Sequence, residues 1–255
     1  VRALVQRMNV PPRFWSDSML ACGTGTMTRF LAEKVGADGH VVGLDSSEAQ
    51  LSAARAHCAG MPNVEWVRAD AADTDLPHGT FDVVYSWGVL HHTGDMWRGI
   101  RNAMKAVNPG GALVLALYNR VEGSLGTLSS DSWRVIKRVY VEGGPLRQRA
   151  MLGAYTAWRM GVAVSHRQHP LHEMRSYDPS RGMNWFHDAR DWLGGYPYEY
   201  ATVDEVTRFV ERDAFTRVKV EAVHPQGWGN NEFGQAGVGS TARKIIGPTR
   251  VALQA

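Results

Sequence analysis

Four short segments hold residues whose types and spacing could do chemistry. Gly23-Thr24-Gly25 follows an apolar run and opens a helical pattern, so the backbone there can turn tightly and let a ligand approach closely. Asp45 ends the next apolar run, twenty residues after Gly25, where a carboxylate can accept both hydroxyls of a ribose. Asp70 ends a third run and could accept a hydrogen bond from an adenine amino group, while Ser86 ends a fourth. A dinucleotide site wants a third glycine where Thr28 stands, and a phosphate loop wants a Gly-Lys-Ser or Gly-Lys-Thr that is absent. The surviving pattern suits an adenosine without a pyrophosphate.

A second group could act on a substrate. In Trp185-Phe186-His187-Asp188-Ala189-Arg190-Asp191-Trp192, a helix would place His187 and Asp191 on one face at i and i+4, with the carboxylate orienting the imidazole as a base. Trp185 and Trp192 recur at i and i+7 and offer an aromatic wall. The alternative reading is an exposed pair beside tryptophans that merely anchor the segment. His91 and His92 follow the fourth run; with no His-Glu-x-x-His and no cysteine pair, a pocket-shaping role is expected for them rather than a metal site. His166, His169 and His172 recur at spacing three, but Pro170 interrupts them, so a loop with scattered histidines is expected. No metal is expected anywhere.

The elements that must position these residues alternate from residue 18 to 118. Short apolar runs at Ser18 to Ala21, His40 to Leu44, Val64 to Val67, Phe81 to Ser86 and Ala112 to Tyr118 read as strands. Between them lie helical patterns: Met27, Phe30, Leu31 and Val35; then Leu51, Ala54 and Cys58 behind the capping-box spacing of Ser47 and Gln50; then Ile100, Ala103, Met104 and Val107. Strands alternating with helices predict a doubly wound α/β fold, a mostly parallel sheet with helices on both faces. Residues 119 to 200 break the rhythm and read as an inserted, mainly helical cap. A capping box at Thr202 and Glu205 restarts the pattern, followed by an alternating strand around Val218 and Val220, with Asn231-Glu232-Phe233 as a candidate last strand. The expected organisation is a core at 1–118 with an N-terminal extension, a substrate cap at 119–200, and completion of the core plus a tail at 201–255.

Composition narrows the partners. Apolar residues make up 44% of the 255 residues and the net charge is only +3. The basic side chains are scattered apart from a cluster between Arg134 and Arg149, which reads as a solvated helix face, so nucleic acid is not the expected partner. The longest apolar stretch, Ala112 to Tyr118, is far below the ~20 residues that span a bilayer. Two cysteines, Cys22 and Cys58, make no disulfide framework. A soluble, cytoplasmic protein without membrane association is expected; the start at Val1 rather than Met is compatible with a processed or missing beginning. Oligomeric state is not legible.

Taken in order, Gly23-Thr24-Gly25, Asp45, Arg68-Ala69-Asp70, Phe81-Asp82-Val83-Val84, Val89-Leu90-His91-His92 and Asn108-Pro109-Gly110-Gly111 resemble the motifs of class I S-adenosylmethionine-dependent methyltransferases of the small-molecule type. The resemblance covers residues 18 to 118 and, more weakly, 202 to 233. It implies a Rossmann-like seven-stranded sheet with an antiparallel last strand, and S-adenosyl-L-methionine as cofactor. The cofactor-binding set it implies is Cys22, Gly23, Thr24, Gly25, Asp45, Ser46, Asp70, Ala71, Ser86 and Trp87. The expected substrate pocket comprises His91, His92, Trp185, Tyr196 and Tyr198, the tyrosines by similarity to capped bacterial members. The chain departs from the family where a carboxylate normally stands two residues before the first glycine of a longer Asp-x-Gly-x-Gly-x-Gly motif: the corresponding positions here are Met19 and Ala21. Either Asp17 supplies the charge from a shifted strand or that contact with the cofactor's amino group is lost. The function implied is methyl transfer to a small-molecule acceptor, with oxygen favoured, by in-line displacement. An RNA or protein methyltransferase and a degenerate, non-catalytic S-adenosylmethionine-binding protein are the alternatives.

Overall fold

The computed structural model describes residues 16–20, 22–73, 76–123, 128–165, 167, 169, 171, 174, 185–212, 217–222 and 249–254. Their elements run β1 (Ser16–Leu20), α1 (Thr26–Val35), β2 (His40–Asp45), α2 (Glu48–His57), β3 (Val64–Arg68), β4 (Phe81–Trp87), a 3-10 turn (Leu90–His92), α3 (Met96–Ala106) and β5 (Val107–Leu117). Then follow α4 (Ser130–Val141), α5 (Pro145–Ser165), α6 (Trp185–Gly194), α7 (Val203–Glu211), β6 (Arg217–Ala222) and β7 (Thr249–Gln254). These residues fall into two units, Asn119–Tyr200 and the remainder.

The first unit is an α/β sheet in the order β3-β2-β1-β4-β5-β7-β6. Pairings among β1 to β5 are parallel, whereas β7 runs antiparallel to both β5 and β6. Alternation along the strands divides the core between the two faces. Val42, Leu44, Val84, Leu113 and Leu115 pack with Ile100 and Met104 of α3 and Val206 and Val210 of α7. Val41, Val83, Tyr85 and Val114 pack on the opposite face with Leu31 and Val35 of α1 and Leu51 and Ala54 of α2. The helices start where side chains cap them: Ser47 accepts from Gln50 N–H, Asp95 from Arg98 N–H, and Thr202 forms a reciprocal capping box with Glu205.

The candidate last strand at 231–233 lies outside the described residues; among those described, the strand between β5 and β6 comes from the tail, at Thr249–Gln254. Asp17 sits within β1, in register with Val41 and Val83, three residues back from Leu20 at the carboxyl edge. At a strand rise of about 3.3 Å per residue its backbone is roughly 10 Å from that edge.

The second unit is helical where described, with α6 and α5 packed on α4. Its interior is aromatic: Trp133 meets Tyr155, Trp158 and Trp192 edge-on, and Tyr155 stacks on Trp185.

Candidate functional site

The chain runs outward from β1 through β2 to β3, then returns to place β4 on the other flank of β1. That reversal opens a crevice at the carboxyl ends of β1 and β4, where open α/β sheets bind ligands. Leu20 is in register with both Leu44 and Ser86, so the glycine turn, Asp45 and the end of β4 share this edge.

The turn is built tightly. Cys22 N–H donates to Leu44 O at 2.8 Å, and Gly25 N–H closes back on Cys22 O at 3.0 Å. Gly23 and Gly25 both take left-handed backbone, φ +54° and +83°, but need to be glycine for different reasons. A Cβ on Gly25 would lie 3.0 Å from Ala54 Cα and Cβ, so this glycine lets α1 and α2 pack closely. A Cβ on Gly23 would meet nothing within 4 Å, so open space faces the backbone there. Gly25 is also the residue ahead of α1 and supplies no side-chain cap, which leaves first-turn amides suited to an anionic group.

Asp45 ties this turn to the next loop. Its Oδ2 accepts from Gly23 N–H at 3.0 Å and its Oδ1 from Ser47 N–H at 2.9 Å. It is only 6% exposed. A carboxylate offers about four lone-pair sites, so each oxygen keeps capacity for a hydroxyl donor. Neighbouring Ser46 is exposed and its carbonyl accepts from Arg68 Nε at 3.4 Å. Asp70 is exposed and folds its own loop, with Oδ1 accepting from Ala72 N–H at 2.8 Å. Ala71 beside it is buried, its carbonyl and that of Ala72 receiving Asn102 Nδ2.

At the end of β4, Ser86 is 1% exposed, and among the described residues its Oγ has no hydrogen-bond partner. A buried hydroxyl left this way is costly unless something else bonds to it. Together with the open face of Gly23 and the spare lone pairs of Asp45, it fits an adenosine-bearing cofactor laid along this edge. Trp87 is half-buried and stacks on Tyr85 with centroids 5.9 Å apart. Thr24 is exposed. Burial first, and then the charge of Asp45, pushes the Cys22 thiol up to about 12, so it stays protonated and serves as packing rather than as a nucleophile.

His91 and His92 are drawn into a ring cluster with Tyr118 at the ends of β4 and β5. Tyr118 N–H donates to His91 Nδ1 at 3.3 Å, so the neutral ring carries its proton on Nε2. His91 is buried, its ring 3.9 Å from that of Tyr118, while half-buried His92 meets Tyr118 edge-on at 5.4 Å. Burial pushes the Tyr118 hydroxyl up to about 12, which makes it a hydrogen-bond donor at neutral pH. Sequence reasoning passed over Tyr118 because it reads only as the end of a strand.

The remaining expected residues lie in the second unit. His187 and Asp191 do share a face of α6, and that face is exposed. The buried face carries Trp185, Ala189 and Leu193. Trp185 and Tyr198 are inside this unit's own aromatic core, and Tyr196 is half-buried. Of the three histidines at spacing three, only His169 is described, accepting from Leu171 N–H at 3.1 Å. Among the described residues no three His, Cys, Asp or Glu side chains converge to hold a metal, and none of the helices is long and apolar enough to cross a membrane.

The methyltransferase domain family matches residues 19–111. The 2-phytyl-1,4-naphtoquinone methyltransferase of Thermosynechococcus vestitus is 33% identical over 105 residues, 41% of this chain and 47% of that protein. The demethylmenaquinone methyltransferase of Lactococcus lactis is 36% identical over 97 residues, 37% of this chain and 38% of that one. The matched stretch thus spans less than half the length of either relative. In fold, the chain is similar to an S-adenosylmethionine-dependent methyltransferase from Mesorhizobium loti, with TM-score 0.56, 21% identity, and 99% and 96% of the two chains covered. It is also similar to phosphoethanolamine N-methyltransferase 2 of Haemonchus contortus in complex with S-adenosyl-L-methionine, with TM-score 0.55, 16% identity, and 88% and 38% covered. The match to the methyltransferase domain family is thus confined to residues 19–111, and over the whole chain the likeness to these two structures, at 21% and 16% identity, is one of fold.

Proposed function

We propose that this protein binds S-adenosyl-L-methionine at the carboxyl edge of β1, β2 and β4 and promotes methyl transfer to a small-molecule acceptor. The observation that carries the reading is Asp45, whose carboxylate fastens Gly23 N–H and Ser47 N–H and keeps lone pairs for the ribose hydroxyls. When bound, the cofactor supplies a methyl group on a sulfonium that departs as a neutral thioether, so no acid is required for leaving. Asp45 and the Gly23 turn bind and orient, Asp70 and Ala71 border the adenine, and Ser86 Oγ gains the partner it lacks. Alignment of this kind can supply about 7–11 kcal/mol of barrier lowering.

The curated relatives named for quinone methylation support a ring-bearing small molecule as acceptor. We favour oxygen as the acceptor atom: a phenol-type hydroxyl, with a pKa of about 10, is protonated at neutral pH but within reach of a histidine base. For an acceptor that arrives protonated we assign His187, oriented by Asp191, as the base.

Calorimetric titration of S-adenosyl-L-methionine into the protein and its Asp45→Ala variant tests the site, followed by assay of S-adenosylhomocysteine formation with phenols and quinols. Micromolar binding lost in the variant supports the assignment, and absence of binding to the unaltered protein sinks it. A second reading, binding without transfer, is favoured by the register of β1, which sets Asp17 back from the edge while Met19 stands nearer it. Binding with no product from any acceptor would select that reading.

A further inference from the structure

The second unit buries a lysine that pairs with no acid among the described residues. Lys137 on α4 is 0% exposed. Its Nζ donates to the carbonyl of Trp192 and lies 3.7 Å from the centroid of the Trp192 ring and 4.9 Å from that of Tyr198. Trp192 is in the last turn of α6, where carbonyls have no partner within the helix. Lys137 therefore caps α6 from a neighbouring helix and joins α4, α6 and the 196–200 segment at one atom.

Among the described residues, the charged and titratable groups on the elements packed around it form no ion pair with it. On α4, Asp131 pairs with Arg134 at 2.9 Å and also accepts from Tyr200 OH. Tyr140, also on α4, is buried. On α5, Arg159 is another buried cation, bonded through Nη1 to Tyr155 OH at 3.2 Å. On α6, His187, Arg190 and Asp191 are exposed and Asp188 is half-buried. The 196–200 segment adds Tyr196, Tyr198, Glu199 and Tyr200. Among the described residues, no carboxylate forms an ion pair with Lys137.

An ammonium has three donors and a full charge, and here one carbonyl and two ring faces must satisfy it. Ring faces return part of the lost hydration; without a carboxylate they do not return all of it. A neutral amine keeps the bond to Trp192 O and needs no counter-charge. We propose that Lys137 is a proton-operated latch in the core of this unit: the neutral amine locks the last turn of α6 against α4, and the ammonium releases it. The latch stands independently of the methyltransferase reading.

Burial lowers the Lys137 pKa from 10.5 to about 7. The opened form, with its lysine in water, therefore binds a proton between about pH 7 and 10.5 that the closed form does not, and closure strengthens as pH rises through that window. Opening of α6 should rise roughly tenfold for each pH unit lost between 9 and 7 and level off below.

Two measurements on the whole chain test this. Lys137 is one of five lysines, so carbon-13 labelling of lysine gives a countable titration. One side-chain resonance should titrate near neutrality and disappear in Lys137→Met. Amide exchange of residues 185–194 in the unaltered protein, corrected for intrinsic exchange, should accelerate as pH falls from 9 to 7. Five lysines all titrating above about pH 9.5 in the folded protein would overturn the proposal. So would a neutral titration with no change in α6 protection. Both readouts come from the unaltered chain, so they survive if the variant does not fold.

Discussion

Replacing Asp45 should separate two roles that one carboxylate performs. Its oxygens accept from Gly23 N–H at 3.0 Å and Ser47 N–H at 2.9 Å. Hydrogen bonds to a charged group contribute about 1.5–3 kcal/mol each when buried. Gly23 and Ser47 are half-buried, so water can reach both amides once the carboxylate is gone. The Asp45→Ala variant should then lose about 1–3 kcal/mol of stability, below the combined value of about 3–6 kcal/mol because water replaces the lost acceptor. In a chain of this size that lowers Tm by about 2–12 °C. The cofactor should lose more: two charge-assisted ribose contacts at the same energies, about 3–6 kcal/mol together, weaken Kd by roughly 10²- to 10⁴-fold. Asp45→Asn sharpens the test, since its single carbonyl oxygen can keep only one of the two amide bonds while its NH2 faces the other. It should recover about half of the lost stability and little of the affinity. Thermal unfolding paired with calorimetry reads both quantities. An Asp45→Ala protein within about 0.5 kcal/mol of the parent and with unchanged affinity would refute the argument that this carboxylate organises the edge.

The two glycines should differ. Gly25→Ala incurs a left-handed conformation worth about 1–2 kcal/mol and a contact 3.0 Å from Ala54, so it should be the more destabilising in urea unfolding. Gly23→Ala carries the conformational cost alone and should instead weaken cofactor binding; equal losses of stability would count against the packing argument. Ser86→Ala removes a buried hydroxyl without a described partner, so stability should stay level or rise while cofactor affinity falls by about tenfold; a loss above ~1 kcal/mol would mean the hydroxyl is bonded in the folded protein. His187→Ala should lower turnover of a phenolic acceptor by about 100-fold or more below the acceptor's pKa, with little effect once the phenol is ionised. Unchanged turnover at both pH values would return His187 to the surface pair its exposed position on α6 also suits.

What was legible in the sequence follows from which physical effects act locally. Capping is local, so Thr202 with Glu205 and Ser47 with Gln50 could be read directly and stand in the structure as helix starts. Alternation of strands with helices is nearly local, and it carried the α/β class. The final strand depends on a long return: Thr249–Gln254 is recognisable only by its place between β5 and β6, which no spacing within those six residues announces. Aromatic residues were harder for another reason. The i, i+7 spacing of Trp185 and Trp192 says that they share a side of a helix but not what covers it, and the structure surrounds them with Trp133, Tyr155 and Phe186. The same gap hid Lys137, which sits in a helix crowded with basic residues and reads as one more solvated cation. Arg134 and Arg138, its neighbours on α4, do reach solvent and pair with Asp131 and Glu142. A shift of three positions along a helix is 300° of rotation and four positions is 400°, so Lys137 falls between them in sequence yet turns toward Trp133 and Tyr140 on the buried side. A charged residue in phase with the apolar stripe is the signal that could have found it, because only a group with a partner or a displaced pKa is stable there.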